Sequence, residues 1–373
     1  YVLSGFINAA VPLILIPLLT RFLSPSEYGI VGFFMLILTG FSMISALGVE
    51  GAATRKYFDS DISNLKISEF VGTCLYIIIF TVLALLLVSF FFSQYTPIFI
   101  GLDLFWVLSA VIAGGCSMII QLASGQAQVR EKPLIFSFIQ ILSGITNLSI
   151  SIILVVSFQL GAEGRMMGIL LSFLLMLLIS LSILKYFNWI IFRYRYKYLR
   201  EALDFGLPLL PHSISLFILA MADRYLIGLF LDFDDLGIYV LAMQLAAIFG
   251  IFFTSFHNAF TPWLYKNLKK NDPTIQKNIV LFTYSYFILF IFLGLLGVLI
   301  SPYAIELIAD PKYFSAKDLM GFLIFSQIFT GFYLMVVGYL LYEKRTKLLS
   351  SITIFSATLN ILMFFIFISS FGL

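Results

Sequence analysis

Charge is what this sequence has least of. Only 11% of its 373 residues are charged, against 61% hydrophobic, and the mean hydropathy is +1.06. A soluble domain carries about 25% charged residues, and it needs polar atoms to cover its surface. This chain does not have them. Cysteine is nearly absent as well: Cys74 and Cys116 are the only two, each inside an apolar run. That excludes a disulfide framework and argues against a metal site. No G-x-x-x-x-G-K-[ST] loop and no H-E-x-x-H pair occurs, so ATP hydrolysis is not expected, nor any cofactor or metal. The net charge of +3 is spread over short loops, with no footprint for nucleic acid.

What is present is a succession of apolar runs, each near the length of about 20 residues that crosses a bilayer as a helix. They fall at roughly 1–20, 28–49, 70–92, 104–125, 134–157, 166–187, 206–231, 236–260, 278–300, 318–341 and 348–370. The expectation is an all-α integral membrane fold of eleven spans. A porin-like barrel would alternate polar and apolar residues instead. The longest connection, about 188–205, interleaves Trp189 and Phe192 with Arg193, Arg195, Lys197 and Arg200. Such a segment is expected to lie along the membrane surface.

The loops after even-numbered spans hold 17 of the 22 basic residues, from Arg55, Lys56 and Lys66 to Lys347. The loops after odd-numbered spans hold only Arg21, Arg165, Lys312 and Lys317. Positive loops stay inside, so the N-terminus is expected to be cytoplasmic and Leu373 external. Tyr1 already lies in an apolar run, so the true start is expected upstream, and a twelfth span is expected beyond Leu373.

Two halves are related. Leu19-Thr20-Arg21-Phe22 with Ser26-Glu27-Tyr28-Gly29-Ile30 recurs loosely as Ala222-Asp223-Arg224-Tyr225 with Asp235-Leu236-Gly237-Ile238-Tyr239. Asn147, fourteen residues after Pro133, has its counterpart in Asn360, fourteen after Thr346. Six spans in the first half make the repeats parallel, related by a pseudo-two-fold axis along the membrane normal. The expected organisation is a six-helix bundle over 1–203 and a second over 204–373, the latter with five of its helices present.

Certain residues point to a family. Asn8-Ala9-Ala10-Val11-Pro12 and Ile16-Pro17-Leu18-Leu19-Thr20-Arg21-Phe22-Leu23-Ser24-Pro25-Ser26-Glu27-Tyr28-Gly29 resemble the opening of Wzx-type polysaccharide flippases. These belong to the multidrug/oligosaccharidyl-lipid/polysaccharide exporter superfamily. Gly51-Ala52-Ala53-Thr54-Arg55-Lys56-Tyr57-Phe58 and Ala222-Asp223-Arg224-Tyr225 with Gly237-Ile238-Tyr239 are similar to it too. The resemblance implies twelve helices in two bundles, a cationic central cavity, and export of undecaprenyl-pyrophosphate-linked oligosaccharide. It also implies residence in a bacterial or archaeal cytoplasmic membrane, with contact to membrane lipid and to polysaccharide assembly proteins.

The candidate site residues are the polar ones inside spans. Asp223 and Arg224 lie amid apolar neighbours in span 7, where a charge costs about 2.5–3.5 kcal/mol on insertion scales and so faces a cavity or a partner. Consecutive helical positions diverge by about 100°, which is expected to keep the two from neutralising each other face to face. An arginine fork suits pyrophosphate; a structural ion pair, or snorkelling to the surface, is the bland alternative. His212, eleven residues before Asp223, falls on the same helix face and titrates near neutrality; packing between helices is its alternative role. Glu50 and Arg55 close span 2, with His257 or Asn258 as the counterpart of Glu50; these four suit a polar inner mouth with Arg55 receiving pyrophosphate, and a solvated helix end is the commoner role for a charge placed like Arg55. Asn8, Asn147 and Asn360 suit hydrogen bonds between helices. Gln121, Gly125 and Gln128 share a face for sugar hydroxyls. Pro12, Pro17, Pro208 and Pro211 are expected to bend spans 1 and 7.

The expected activity is therefore secondary transport of lipid-linked oligosaccharide by alternating access, driven by the membrane potential or by H+ or Na+. A cation-coupled drug exporter of the same superfamily is the nearest rival, although Arg224 argues against an acid-lined cavity. A glycan polymerase or transferase is the rival from another class. The short outer loops argue against an enzyme.

Overall fold

The computed structural model describes residues 13–59, 63–93, 102–269, 272–343 and 346–371. Asn8 and Pro12 lie outside the described residues. All regular structure in the described residues is helical: α1 Leu13–Phe22, α2 Pro25–Ala46, α3 Val49–Lys56, α4 Asn64–Phe91, α5 Leu104–Val129, α6 Pro133–Ile152, α7 Gly161–Tyr186 and α8 Tyr196–Gly206. Then follow α9 Leu210–Phe230, α10 Phe233–Leu268, α11 Pro273–Ile308, α12 Ala316–Tyr342 and α13 Thr346–Phe371. Among the described residues, nine of these helices are long and apolar enough to cross a membrane, and α1 and the 351–364 stretch of α13 are shorter apolar helices. The second to tenth expected spans each have a helix of spanning length, α1 and α13 mark parts of the other two among the described residues, and the fold class is all-α integral membrane. The short α8 falls in the connection expected near 188–205, whose place along the membrane surface stays a proposal. Tyr198, Ala202 and Gly206 are buried at four-residue spacing, while Lys197, Arg200 and Asp204 point outward.

Local chemistry sets the helix ends. Ser24 and Glu27 form a capping box before α2: Glu27 N donates to Ser24 Oγ at 3.2 Å, and Ser24 N donates to Glu27 Oε2 at 2.8 Å. Asp272 caps α11 by accepting from Thr274 N at 2.8 Å, with Pro273 in the first turn. Between α2 and α3 the chain passes through two left-handed residues, Leu47 (φ 46°) and Gly48 (φ 72°). A Cβ on Gly48 would lie 2.9 Å from the Cα of Gly206, so glycine serves both the turn and the close approach of α8. Helix α6 runs on into a π-helical turn, Ile153–Ser157.

The expected proline bends in span 7 are corrected. Pro208 sits in a 3-10 turn, Leu207–Leu209, and Pro211 in the first turn of α9. At a helix start the missing N–H is an orphan anyway, so neither breaks a hydrogen bond. Prolines do stand inside other described helices: Pro17 in α1, Pro262 in α10 and Pro302 in α11. Pro302 leaves the Val298 carbonyl without its backbone donor, and Ser301 Oγ donates to that oxygen at 3.0 Å.

By contacts the chain divides into Ile30–Asp232 and a second unit made of Pro12–Gly29 with Phe233–Leu373. This cut is separate from the sequence halves 1–203 and 204–373, which stay a proposal based on the repeats. The first unit has a core running from Phe70, Cys74 and Ile78 through Leu122 and Ile139 to Trp189, Tyr198 and Ala202. The second is built largely on aromatics, with Phe253 and Phe290 stacked at 3.8 Å and Phe256 4.7 Å from Tyr286.

Inside the second unit the paired glycines of the repeat meet. A Cβ on Gly29 would lie 2.0 Å from the Phe233 carbonyl oxygen, and a Cβ on Gly237 would lie 1.9 Å from that of Pro25. Each oxygen belongs to the residue four before the opposing glycine, so two helix starts cross through equivalent atoms. Beside them Tyr28 donates to Gln244 Oε1 at 2.7 Å. Tyr313, fully buried in the α11–α12 connection, directs its hydroxyl to the carbonyls of Leu23 and Ser24 at 3.0 and 2.9 Å. Burial, and then the nearby Tyr28, Glu27, Asp310 and Asp234, push that phenol's pKa up and keep it a donor. Tyr313→Phe is expected to cost about 1 kcal/mol, the value of one such bond, read as a lower thermal midpoint in detergent.

Candidate substrate site

Three basic residues of the even loops, Arg55, Lys197 and Arg200, come together in the first unit. There α3, α8 and the start of α9 border an open groove of ≈ 730 Å³, lined by Arg55, Tyr196, Lys197, Arg200, Glu201, Asp204, Phe205, Pro208 and Leu209. Helix α3 brings Arg55 because the left-handed turn at Leu47–Gly48 redirects the chain after span 2. The guanidinium lies 5.3 Å from the centre of the Phe205 ring, a cation–π contact that holds it in place without consuming its in-plane donors. Arg55 is exposed, and no carboxylate among the described residues lies within ion-pair distance of it. The two acids of the groove are directed elsewhere. Glu201 pairs with Lys56, which also reaches Asp59 at 2.8 Å, and Asp204 lies 3.7 Å from Arg200. Burial lowers the Lys56 pKa, but hydrogen bonds to Asp59 and Glu201 outweigh it and raise the net value. This clamp is therefore present below the ordinary lysine range and is lost only as pH rises above it.

Arg130, just past α5, forms a second cationic shelf. Its guanidinium lies 5.3 Å from the ring centres of both Tyr57 and Trp189. Burial pulls its pKa down, although arginine stays charged. Gln126, one turn before, is fully buried and donates to Ala53 O at 3.4 Å, tying α5 to α3.

Glu50 sits in the first turn of α3. Its Oε2 is shut from solvent and accepts no hydrogen bond. Across from it, Gly125 of α5 comes close enough that a Cβ would lie 3.0 Å from Thr54 Oγ1, and Thr54 itself donates to Glu50 O at 2.9 Å. Gln121 and Gln128 lie exposed on that same α5 face. Glu50, Arg55 and Gln121 thus belong to one unit. His257 lies in the other, on α10, with Nε2 3.4 Å from Thr261 Oγ1 and a buried, unpartnered Nδ1. The mouth shared by Glu50, Arg55, His257 and Asn258 stays a proposal.

The expectation that Asp223 and Arg224 cannot pair is corrected. Arg224 Nη1 reaches Asp223 Oδ1 at 4.0 Å and donates to Ala220 O at 2.6 Å. The long side chain folds back along its own helix, so the divergence of the Cα–Cβ directions does not decide the matter. Both side chains are mostly buried, 17% and 18% exposed. His212 is in α9, and its side chain lies outside the described residues.

Two polar centres were missed in the sequence. Arg165 lies within the first turns of α7 and not in an outer loop. It is 8% exposed, and its Nη1 donates to Asn147 Oδ1 at 2.8 Å and to Ser151 Oγ. Glu69, 1% exposed in α4, takes both Arg193 and Arg195. Each lay within two residues of an expected span edge, where a charge reads as a loop residue.

The many long apolar helices of the chain define its class, an integral membrane protein of many spans. A family model described as polysaccharide biosynthesis protein matches residues 1–268, and the chain belongs to that family. A second, described as MatE, matches residues 208–366. The chain is 25% identical to Lsg locus protein 1 of Haemophilus influenzae, over 97% of this chain and 88% of that one. It is 26% identical to another membrane protein of the same organism, over 95% and 86%. Its fold is similar to the inward-facing form of a MATE family multidrug resistance transporter of the MOP superfamily (TM-score 0.72, 14% identity, 95% of this chain and 84% of that one). It is also similar to the outward-facing form of a MATE family multidrug resistance transporter (TM-score 0.58, 13% identity, 100% and 87%).

Proposed function

We propose that this protein is a secondary transporter that flips undecaprenyl-pyrophosphate-linked oligosaccharide units from the cytoplasmic to the outer leaflet for surface polysaccharide synthesis. The observation that carries the proposal is Arg55: exposed, without a carboxylate partner among the described residues, and seated in a groove whose other wall is Phe205, Pro208 and Leu209. A polyprenyl pyrophosphate needs that pairing, a cation for the head and an apolar surface for the chain. On the orientation given by the basic loops, the groove opens to the cytoplasm, where the lipid-linked unit is made. Family membership supports the reading, as does the likeness to a protein named for the Lsg locus. Glu50, Gln121, His212, His257 and Asn8 are proposed to line the path, with Asp223 and Arg224 further along it.

The energetics are compatible with a secondary mechanism. One charge moved through 100 mV is worth about 2.3 kcal/mol. An inside-negative potential thus favours outward passage of a pyrophosphate by roughly 4–5 kcal/mol per 100 mV, with H+ or Na+ exchange as a further source. The test is complementation of a bacterium lacking its own oligosaccharide flippase. The wild-type gene is expected to restore surface polysaccharide. Arg55→Ala is expected to reduce it about ten-fold or more at equal membrane abundance, as for loss of a hydrogen bond to a charged group. Wild-type activity in Arg55→Ala overturns the role of the groove. The MatE match favours a second reading, drug export. It prevails if the wild-type gene confers dye efflux and leaves polysaccharide unrestored.

A further inference from the structure

The connection between α7 and α8 is non-helical over 189–195, turns once where Arg193 N donates to Ile191 O at 2.8 Å, and alternates in sequence up to the helix: Phe192-Arg193-Tyr194-Arg195. Extended backbone sends successive side chains to opposite sides, and Arg195 has φ −134° and ψ 117°. The strap is fixed to α4 by hydrogen bonds: Ile191 N donates to Ser68 O at 3.0 Å, and Ser68 Oγ donates to Asn188 O at 2.7 Å. The alternation then brings both arginines to one carboxylate. Arg195 Nε lies 2.8 Å from Glu69 Oε2, and Arg193 Nη1 lies 3.3 Å from Oε1. The Glu69 side chain is 2% exposed, whereas Arg193 and Arg195 are 64% and 42% exposed. One carboxylate between two guanidinia leaves a net charge of +1. Each guanidinium has five N–H donors, so most remain available on the exposed side.

The surroundings match the rest of a lipid. Phe192 and Tyr194 are exposed on the strap and Tyr196 at the start of α8; tyrosine gathers at the headgroup level of a bilayer. Phe192 packs edge-on against Tyr76 of α4 at 6.4 Å. From Tyr76 an exposed stripe continues along α4 through Phe80, Leu83 and Leu87, spaced as one helix face. A singly charged cationic clamp thus sits at the head of an apolar track.

We propose that the Arg193–Arg195 clamp is a binding site for an anionic phospholipid of the surrounding bilayer. The phosphate lies on the two guanidinia and an acyl chain on the Tyr76–Leu87 stripe. The single net charge complements a phosphodiester better than a pyrophosphate, which separates this site from the transport groove. The role is to moor the strap, and with it α8 and its wall of the groove, to the bilayer surface.

The test is lipid retention by the full-length protein in mixed nanodiscs of phosphatidylglycerol and phosphatidylcholine with the same acyl chains. Wild-type protein is expected to retain phosphatidylglycerol preferentially and to lose the preference at high salt. Arg193→Gln with Arg195→Gln is expected to weaken it roughly five-fold per guanidinium, the factor for one cation near an anionic surface. Glu69→Gln separates lipid binding from a purely structural clasp. It frees both guanidinia, so the preference is expected to hold or rise. Three results overturn the proposal: no preference in the wild type, a loss in Glu69→Gln as large as in the arginine variant, or displacement of the phospholipid by an equal concentration of polyprenyl pyrophosphate.

Discussion

Gly237→Val is expected to destabilise the second unit by about 1–3 kcal/mol and to lower the yield of folded protein. The first atom of any side chain at this position would sit 1.9 Å from the Pro25 carbonyl oxygen. That oxygen is backbone at the start of a capped helix, so it cannot rotate away as a side-chain tip would. The helices would have to separate by more than 1 Å to reach ordinary contact, on the order of the close-packing shifts that cost 1–3 kcal/mol. Gly29→Val meets the same obstacle from the other side, 2.0 Å from Phe233 O. Even alanine at either position is expected to lower the thermal midpoint in detergent, followed by monodispersity after heating. Gly321 of α12 is the control: a Cβ there meets nothing within 4 Å. Gly321→Ala is expected to be tolerated or to gain up to about 1 kcal/mol from helix propensity. The double variant Gly29→Ala/Gly237→Ala should cost less than the sum of the singles, because one separation relieves both clashes. Additive costs would mean that the two contacts yield independently.

The same crossing explains why the family-resembling opening segment is so specific. Ser24 caps α2, Glu27 completes the box, Tyr28 bonds Gln244, and Gly29 permits the close approach. None of the four needs a substrate to account for it. The second to tenth spans were legible because length and hydropathy decide membrane insertion, and the break after the sixth was legible from its basic and aromatic interleaving. The polar centres were less so. Span edges read from hydropathy shift by a few residues, and that shift turned Arg165 and Glu69 into loop residues. Burial in a bundle depends on which helices pack together, a long-range fact that local hydropathy does not contain. The Glu69 clamp did leave a local signal. The alternation of arginine and aromatic residues over 192–195 suits an extended segment, and Arg193 and Arg195 do fall on one side. The Asp223–Arg224 pair was misjudged for a different reason: direction at Cβ was taken for direction at the charge, and four torsions separate the two in arginine.

Asn147→Leu is expected to be among the most damaging changes in the first unit. Arg165 is 8% exposed and its Nη1 donates to Asn147 Oδ1 at 2.8 Å, while Asn147 Nδ2 donates to Ser172 Oγ at 3.2 Å. Leucine is close to asparagine in shape and somewhat larger, so no cavity opens and the effect falls mainly on the lost acceptor. Removing one partner of a buried charge costs about 3–5 kcal/mol when the charge cannot move to water. Some of that is recovered here, because Ser151 Oγ still accepts from the guanidinium. About 2–3 kcal/mol remains as the expectation, from the cost of an under-satisfied buried charged group. Asn147→Asp should behave oppositely, because it keeps an acceptor at the same position and adds a countercharge. The measurement is the thermal midpoint of both variants in detergent, with Arg165→Met as the third corner. If Asn147→Leu falls and Asn147→Asp does not, the cluster is a closed network that holds α6 to α7 beside the π-helical turn. In that case Arg165→Met, which removes the charge along with its need for acceptors, should cost less than Asn147→Leu, since an apolar residue of similar length often replaces a buried ion at little expense. If Asn147→Leu is as stable as the wild type, water reaches the guanidinium. Arg165 would then be a cation open to the interior of the bundle and would join Arg55 among the groups able to meet a pyrophosphate.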